Sequence, residues 1–167
     1  MLAYVGELRP AFLAHIANRL DALICLQTEA MLAAAGAATP ARSVSAIVYL
    51  NRCGQASLAD IAAADGQSHQ LVSSRVAALE DLGLLVRVID RHDRRRKLLK
   101  LTAKGKADAA VVERVCGDIA RALNDLQQEL SLDLFAAIET AEKSLTRITI
   151  SERAAGAARA TKKSLYG

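Results

Sequence analysis

The side chains with the clearest chemical potential lie between Arg87 and Lys106, where basic residues are concentrated. This segment holds nine Lys and Arg residues against two Asp residues, which gives it a charge of +7. The whole chain has a net charge of +4, so the residues outside the segment sum to −3. Clustered cations of this kind favour a phosphate-lined partner, because Lys and Arg neutralise phosphates directly.

The flanks of this charged cluster are typical of two short β-strands. The sequences VRVI and KLLKL enclose the polar run DRHDRRR, which is therefore predicted to form the tip of a hairpin. Taken alone, such a run is equally typical of a solvated surface. We expect the following residues of the hairpin to contact a nucleic acid: Arg91, His92, Arg94, Arg95, Arg96 and Lys97.

Two short helices are predicted directly before the hairpin. Ser57 and Asp60 form a capping-box pattern that opens a helix of about eight residues, and Gly66 closes it. Ser68 caps a second helix, so the pair has the spacing of a helix-turn-helix, whose second helix enters the DNA major groove. The polar positions near the start of that second helix are the candidate DNA contacts: Ser68, His69, Gln70, Ser73, Ser74 and Arg75.

Amphipathic helices are predicted on both sides of this region. Apolar residues at three-to-four residue spacing indicate a long helix from about Pro10 to Ala35, a shorter one ending near Arg52, and two more after Thr102. A winged helix cannot cover this much apolar surface, which favours a homodimer. The predicted fold is mainly α with a small β-hairpin wing, a winged helix-turn-helix with N- and C-terminal dimerisation helices.

The predicted organisation is a single structural unit with four segments. Residues 1–40 form an N-terminal dimerisation helix and residues 41–102 form the winged helix-turn-helix. Residues 103–150 form the C-terminal dimerisation helices, and residues 151–167 form a basic, flexible tail.

Several other classes of function lack support in the sequence. The chain has no HExxH, GxSxG, Walker or dinucleotide-binding motif, so we expect neither an enzyme nor a cofactor. No apolar run is long enough to span a bilayer and no signal-peptide pattern opens the chain, so we expect a cytoplasmic protein without a membrane partner. Cys25, Cys53 and Cys116 are scattered, which disfavours a disulfide framework or a metal site. A redox-sensing thiol remains an alternative.

From about Ser57 through Gly105 the sequence resembles the MarR family of bacterial transcriptional regulators. The resemblance covers the helix-turn-helix and continues through the wing, DRHDRRRKLLKLTAKG. The residues that match the wing motif of that family are Asp90, Asp93, Arg95, Leu101, Thr102 and Gly105. Family members often have a proline after the first Asp, but this chain has Arg91 there.

The resemblance implies a homodimeric winged helix, usually a repressor, that binds an inverted repeat of double-stranded DNA. It implies that Arg95 enters the minor groove and that Asp90 and Asp93 structure the wing, Asp93 by pairing with a nearby arginine. Many relatives bind small aromatic or anionic effectors between the dimer helices and the winged helix. His15 and Arg19 on the first helix are candidates for such a pocket, although ordinary solvent exposure explains them as well.

We therefore predict a sequence-specific, dimeric transcriptional regulator that acts as a ligand-responsive repressor. Its recognition helix covers residues 68–82 and its wing covers residues 90–97. An alternative from another class is a winged-helix module whose basic wing binds an acidic protein surface.

Overall fold

The computed structural model describes residues 3–90 and 97–156 of the chain. The architecture is mainly helical, with a three-stranded antiparallel sheet whose strand order is β1-β3-β2. This confirms the predicted mainly α fold with a small hairpin. Element bounds are α1 Leu13–Ala34, α2 Val44–Cys53, β1 Gln55–Ala56, α3 Leu58–Asp65, α4 His69–Asp81, β2 Leu85–Ile89, β3 Lys97–Leu101, α5 Ala103–Leu130 and α6 Leu134–Arg147.

The N-terminal helix begins later than its apolar pattern predicts. Residues Ala3–Phe12 form 3-10 turns, and these are kinked at Gly6, which has a φ of 51°. Pro10 lies inside this segment, so the α-helical pattern starts only at Leu13. A second short 3-10 turn, Ala41–Ser43, leads into α2.

The core lies among the end of α1, α2, α3, α4, the sheet and the first half of α5. Its fully buried side chains are contributed by every one of these elements, so the helix-turn-helix and the wing share one apolar interior. The largest of them include Ile47, Leu50, Ile61, Leu79, Leu84 and Leu99. Helix α4 is therefore packed against this shared core.

Strand β1 was not predicted from the sequence. It is only two residues long and pairs with β3 through Gln55 opposite Lys100 and Ala56 opposite Leu99. On the other side of β3, strand β2 pairs in register from Leu85 opposite Leu101 to Ile89 opposite Lys97. The hairpin predicted around the charged tip is thus present.

The chain divides into two compact units, residues 1–120 and residues 121–167. The first contains the winged helix, together with α1 and most of α5. The second contains the end of α5, all of α6 and a further helical segment at 150–156. That segment is capped by Thr149, whose hydroxyl accepts a hydrogen bond from the Glu152 N–H at 3.2 Å. The rest of the predicted flexible tail lies outside the described residues.

Candidate nucleic-acid interface

The helix-turn-helix is built by two capping arrangements that the sequence predicts. The Ser57 hydroxyl accepts a hydrogen bond from the Asp60 N–H at 3.2 Å, and the Asp60 carboxylate accepts one from the Ser57 N–H at 2.8 Å. Gly66 ends α3 in the left-handed conformation with a φ of 62°, which only glycine adopts without strain. Ser68 then caps α4 by accepting from the Leu71 N–H at 3.3 Å. These contacts fix the angle at which α4 leaves the turn.

Helix α4 has two distinct faces. Val72, Val76 and Leu79 are completely buried and attach the helix to the core. The opposite face is exposed, and Gln70, Ser73 and Ser74 lie on it at the three- and four-residue spacing that aligns side chains along a helix. The exposed residues that the structure brings together at the start of α4 are Ser68, His69, Gln70, Ser73 and Ser74. Five of the six predicted contacts are therefore accessible to a partner.

Arg75, the sixth predicted contact, points elsewhere. Its side chain is only 16% exposed, and its Nη1 atom lies 3.9 Å from the Asp65 Oδ2 atom at the end of α3. The guanidinium is thus turned toward the inside of the helix-turn-helix. Position 75 lies three residues after Val72 and four before Leu79, so its direction follows from the buried stripe.

The structure describes only the base of the predicted wing. Lys97 is exposed and opens β3, and Asp90 is half-buried directly after β2. The other predicted wing residues lie outside the described residues: Arg91, His92, Asp93, Arg94, Arg95 and Arg96. The described pair nearest to these residues is Ile89 opposite Lys97.

An ion pair connects the wing to the recognition helix. The Arg87 Nε atom donates to the Glu80 Oε1 atom at 2.8 Å and the Arg87 Nη2 atom donates to Oε2 at 2.7 Å. The hydrogen bonds to Glu80 raise the pKa of Arg87 above its ordinary value. Such two-point pairing fixes a guanidinium plane, so β2 and the last turn of α4 are oriented together.

The start of α5 packs against the segment that connects α4 to β2. The Thr102 hydroxyl donates to the Gly83 carbonyl at 2.8 Å and accepts from the Gly105 N–H at 3.0 Å. The Lys104 Nζ atom donates to the Leu82 carbonyl at 2.8 Å, where α4 ends. Gly105 is buried, and a Cβ atom on it would lie 1.8 Å from the Leu84 carbonyl oxygen. The motif Leu101, Thr102 and Gly105 thus joins α4, the wing and α5.

A buried carboxylate that no sequence pattern predicts fixes the loop before α2. Asp108 on α5 accepts hydrogen bonds from the Ala38 N–H at 2.7 Å and the Thr39 N–H at 3.1 Å. The Thr39 hydroxyl also donates to this carboxylate. Because about 70 residues separate the partners, no local pattern signals the contact. The only available signal was a charged residue among the apolar positions of α5.

The residues predicted for an effector pocket, His15 and Arg19, are both exposed on α1. Neither lines the cavity of about 470 Å³ that lies between α2 and α5. The residues that line this cavity are Val44, Ser45, Val48, Arg52, Glu113, Cys116 and Gly117.

The cysteines differ in their surroundings. Burial raises the pKa of the Cys25 thiol and of the Cys116 thiol, so both favour the unreactive protonated form. Cys53 is exposed at the end of α2.

Across residues 3–90 and 97–156, no group of three or more His, Cys, Asp or Glu side chains is arranged to hold a metal ion. In the same ranges, no helix combines the length and apolar character needed to cross a membrane.

Comparison with known proteins identifies the winged helix. Residues 39–96 match the MarR_2 model of the MarR family. No curated protein sequence gives a significant match to the chain.

The solved structures show the same fold over most of the chain. The transcriptional repressor CouR, bound to a 23-mer DNA duplex, is 24% identical with a TM-score of 0.60, and the match covers 85% of this chain and 96% of CouR. A MarR transcriptional regulator from Methanosarcina mazei Go1 is 17% identical with a TM-score of 0.60, over 80% and 98% of the two chains. The regulator BldR from Sulfolobus solfataricus is 17% identical with a TM-score of 0.58, and the match covers 86% of this chain and 99% of BldR. Residues 39–96 therefore match the model of the MarR family, and a MarR transcriptional regulator is among the solved structures that share the fold of this chain.

Proposed function

We propose that this protein is a MarR-family transcriptional regulator, a dimeric, ligand-responsive repressor that reads an inverted repeat through its recognition helix and wing. The observation that carries the proposal is the exposed polar face of α4, which stands opposite a completely buried stripe and directly before a basic hairpin. The proposed function requires neither a catalytic step nor a cofactor.

The two parts of the interface would supply different kinds of recognition. Gln70 can pair with the N6 and N7 atoms of adenine in the major groove, and Ser73 and Ser74 can contact bases or phosphates. The wing cations would bind phosphates, which contributes affinity without sequence information. Arg95, and secondarily Arg94, would enter a narrowed minor groove, where negative potential attracts a guanidinium group.

The terminal helices support a dimer. Among the large apolar side chains of α1, Leu13 is 65% exposed and Leu23 is 51% exposed. No residue of α6 is buried, and Phe135 is 55% exposed on its apolar side. Contiguous apolar helix faces of this kind are buried in protein interfaces, and two-fold dimers are the commonest assemblies. A dimer also presents two recognition helices to an inverted repeat.

The likeness to CouR supports DNA as the partner and repression as the outcome, because that relative is described as a repressor bound to a DNA duplex. For the effector, the cavity between α2 and α5 is the best-supported location. Val44 and Val48 give it an apolar wall, which suits a small aromatic effector, while Arg52 lies 4.0 Å from Glu113 in the same lining.

Mobility-shift assays with promoter fragments from the neighbouring genes test the proposal. We expect saturable binding to an inverted repeat whose half-sites lie about 10 base pairs apart, one turn of the DNA helix. The competitor should be sheared bulk DNA at about 0.15 M salt, where phosphate contacts alone give weak binding. If no fragment is preferred over the competitor, the proposed function is wrong.

Replacing Arg95 with alanine should weaken operator binding about tenfold, or about 1.4 kcal/mol, because one minor-groove guanidinium is lost. Fluorescence anisotropy with a labelled operator duplex measures this change. Arg121→Ala, which removes a cation from the C-terminal half of α5, is the control for charge. Sedimentation should show an unchanged dimer. An unaltered affinity would remove the wing from the mechanism.

Two alternative functions make different predictions. A protein-interaction module would bind an acidic protein surface and show little preference for any DNA sequence, so the mobility-shift assay separates it from the regulator. A thiol switch requires a thiolate at neutral pH. The raised pKa values of Cys25 and Cys116 disfavour this role for those two residues.

A further inference from the structure

Arg75 lies on the recognition helix but its charged group is enclosed. Its Nε atom is buried and has no hydrogen-bond partner in the part of the chain that the structure describes. Its Nη1 atom approaches the Asp65 Oδ2 atom, and the side chains of both residues are less than one-fifth exposed. A guanidinium placed to bind a phosphate or a base edge would project from the exposed face, where Gln70 and Ser73 lie.

Asp65 explains why a cation is needed inside the helix-turn-helix. Its carboxylate is 14% exposed at the end of α3, and its Oδ2 atom also accepts a hydrogen bond from the Ser45 hydroxyl on α2 at 2.7 Å. A poorly solvated carboxylate is costly unless a positive group faces it. Arg75 faces it, so this one cluster connects α2, α3 and α4.

The backbone of α4 is held at the same residue. The Ser43 hydroxyl, which is buried, donates to the Arg75 carbonyl at 3.3 Å. The neighbouring Arg42 pairs with Asp21 on α1 at 2.7 Å. The middle of the recognition helix is therefore connected through the 41–43 turn to α1 and through Asp65 to α3.

We propose that Arg75 is a positioning residue for DNA recognition, which docks on Asp65 and sets the orientation of α4 without contacting DNA. This inference rests on the proposed DNA-binding function. Loss of the pair would let α4 shift relative to α3 and the wing. Because base contacts require accurate placement whereas phosphate contacts tolerate movement, specific binding should fall and non-specific binding should change little.

The test compares Arg75→Gln, Asp65→Asn and the double variant. The probes are a duplex selected by the wild-type protein from a random pool and a duplex of unselected sequence. Both single variants should bind the selected duplex about tenfold more weakly, with the unselected duplex bound as before. The double variant should be no weaker than the weaker single variant, because it leaves no uncompensated charge.

Asp65→Asn separates positioning from electrostatic attraction. It makes the protein more positive, so general attraction to DNA predicts tighter binding, whereas the positioning role predicts weaker specific binding. The salt dependence gives a second readout. Loss of a phosphate contact reduces the slope of log K against log salt by about 0.9. We expect the slope of Arg75→Gln to equal that of the wild type.

Three results would overturn the inference: a slope reduced by about 0.9 in Arg75→Gln, an unchanged or tighter specific complex in Asp65→Asn, or full additivity in the double variant. Circular dichroism establishes that each variant is folded. If Arg75→Gln does not fold, Asp65→Asn decides the question alone. If the wild-type protein selects no sequence from the pool, the proposed function fails instead.

Discussion

Replacing Gly105 with alanine is expected to lower the free energy of unfolding by about 3 kcal/mol, the upper part of the range for overpacking a closely packed site. The added Cβ atom would lie 1.8 Å from the Leu84 carbonyl oxygen, and the nearest three atoms all belong to backbone. A backbone cannot rotate away as a side chain can, so α5 and the 83–84 turn must separate. Urea denaturation followed by circular dichroism measures the change.

The control for this variant is Gly156→Ala. A Cβ atom on Gly156 would meet nothing within 4 Å, and the residue also lies in a helical segment. Alanine has a higher helix propensity than glycine, so this change should not destabilise the protein. A Gly105→Ala variant that is as stable as the control would contradict the close packing of α5 on Leu84.

Gly105→Ala should also reduce DNA binding, because the contact between Gly105 and Leu84 joins α5 to the segment between the recognition helix and the wing. Leu84 follows the end of α4 and precedes β2, and the Thr102 N–H donates to its carbonyl at 3.0 Å. Separation of this junction would change the angle between recognition helix and wing. We therefore expect a loss of affinity together with the loss of stability, although Gly105 itself is buried.

Replacing Asp108 with alanine is expected to lower the free energy of unfolding by about 3 kcal/mol, because three donors would lose this acceptor and the two donors of Thr39 lie where water is largely excluded. These donors are the Ala38 and Thr39 N–H groups and the Thr39 hydroxyl. Thr39 is 1% exposed, so water cannot replace the carboxylate without a rearrangement of the loop. Thermal or urea denaturation measures the effect.

Asp125→Ala provides the matched comparison for Asp108. Asp125 is an exposed carboxylate on the same helix, so its removal should change stability by less than about 0.5 kcal/mol. If the Asp108 variant is as stable as the Asp125 variant, the loop before α2 is not held by this carboxylate.

The elements that fold through local signals were predictable from the sequence. The capping box of Ser57 and Asp60, the glycine stop at Gly66 and the cap at Ser68 all act within a few residues. The buried stripe of α4 follows the helical period, so the exposed position of Gln70 and Ser73 was predictable with it.

Features that depend on distant partners were not predictable. Strand β1 exists only because two residues reach the edge of β3. The Asp108 contacts and the Arg75–Asp65 pair depend on how helices meet in three dimensions. Arg75 was predicted to contact DNA because it is polar and near the helix start. The helical period places it beside Val72 and Leu79, but nothing in the sequence identifies Asp65 as its partner.

A hydroxyl-radical footprint on the selected duplex tests whether the α4 face and the wing of a dimer read DNA together. We expect two protected regions about one helical turn apart, with further protection of the minor groove beyond each half-site. Arg95→Ala should remove the outer protection and leave the inner regions in place. A single continuous footprint of variable position, or equal protection of selected and unselected duplexes, would show that the α4 face and the wing do not read DNA together.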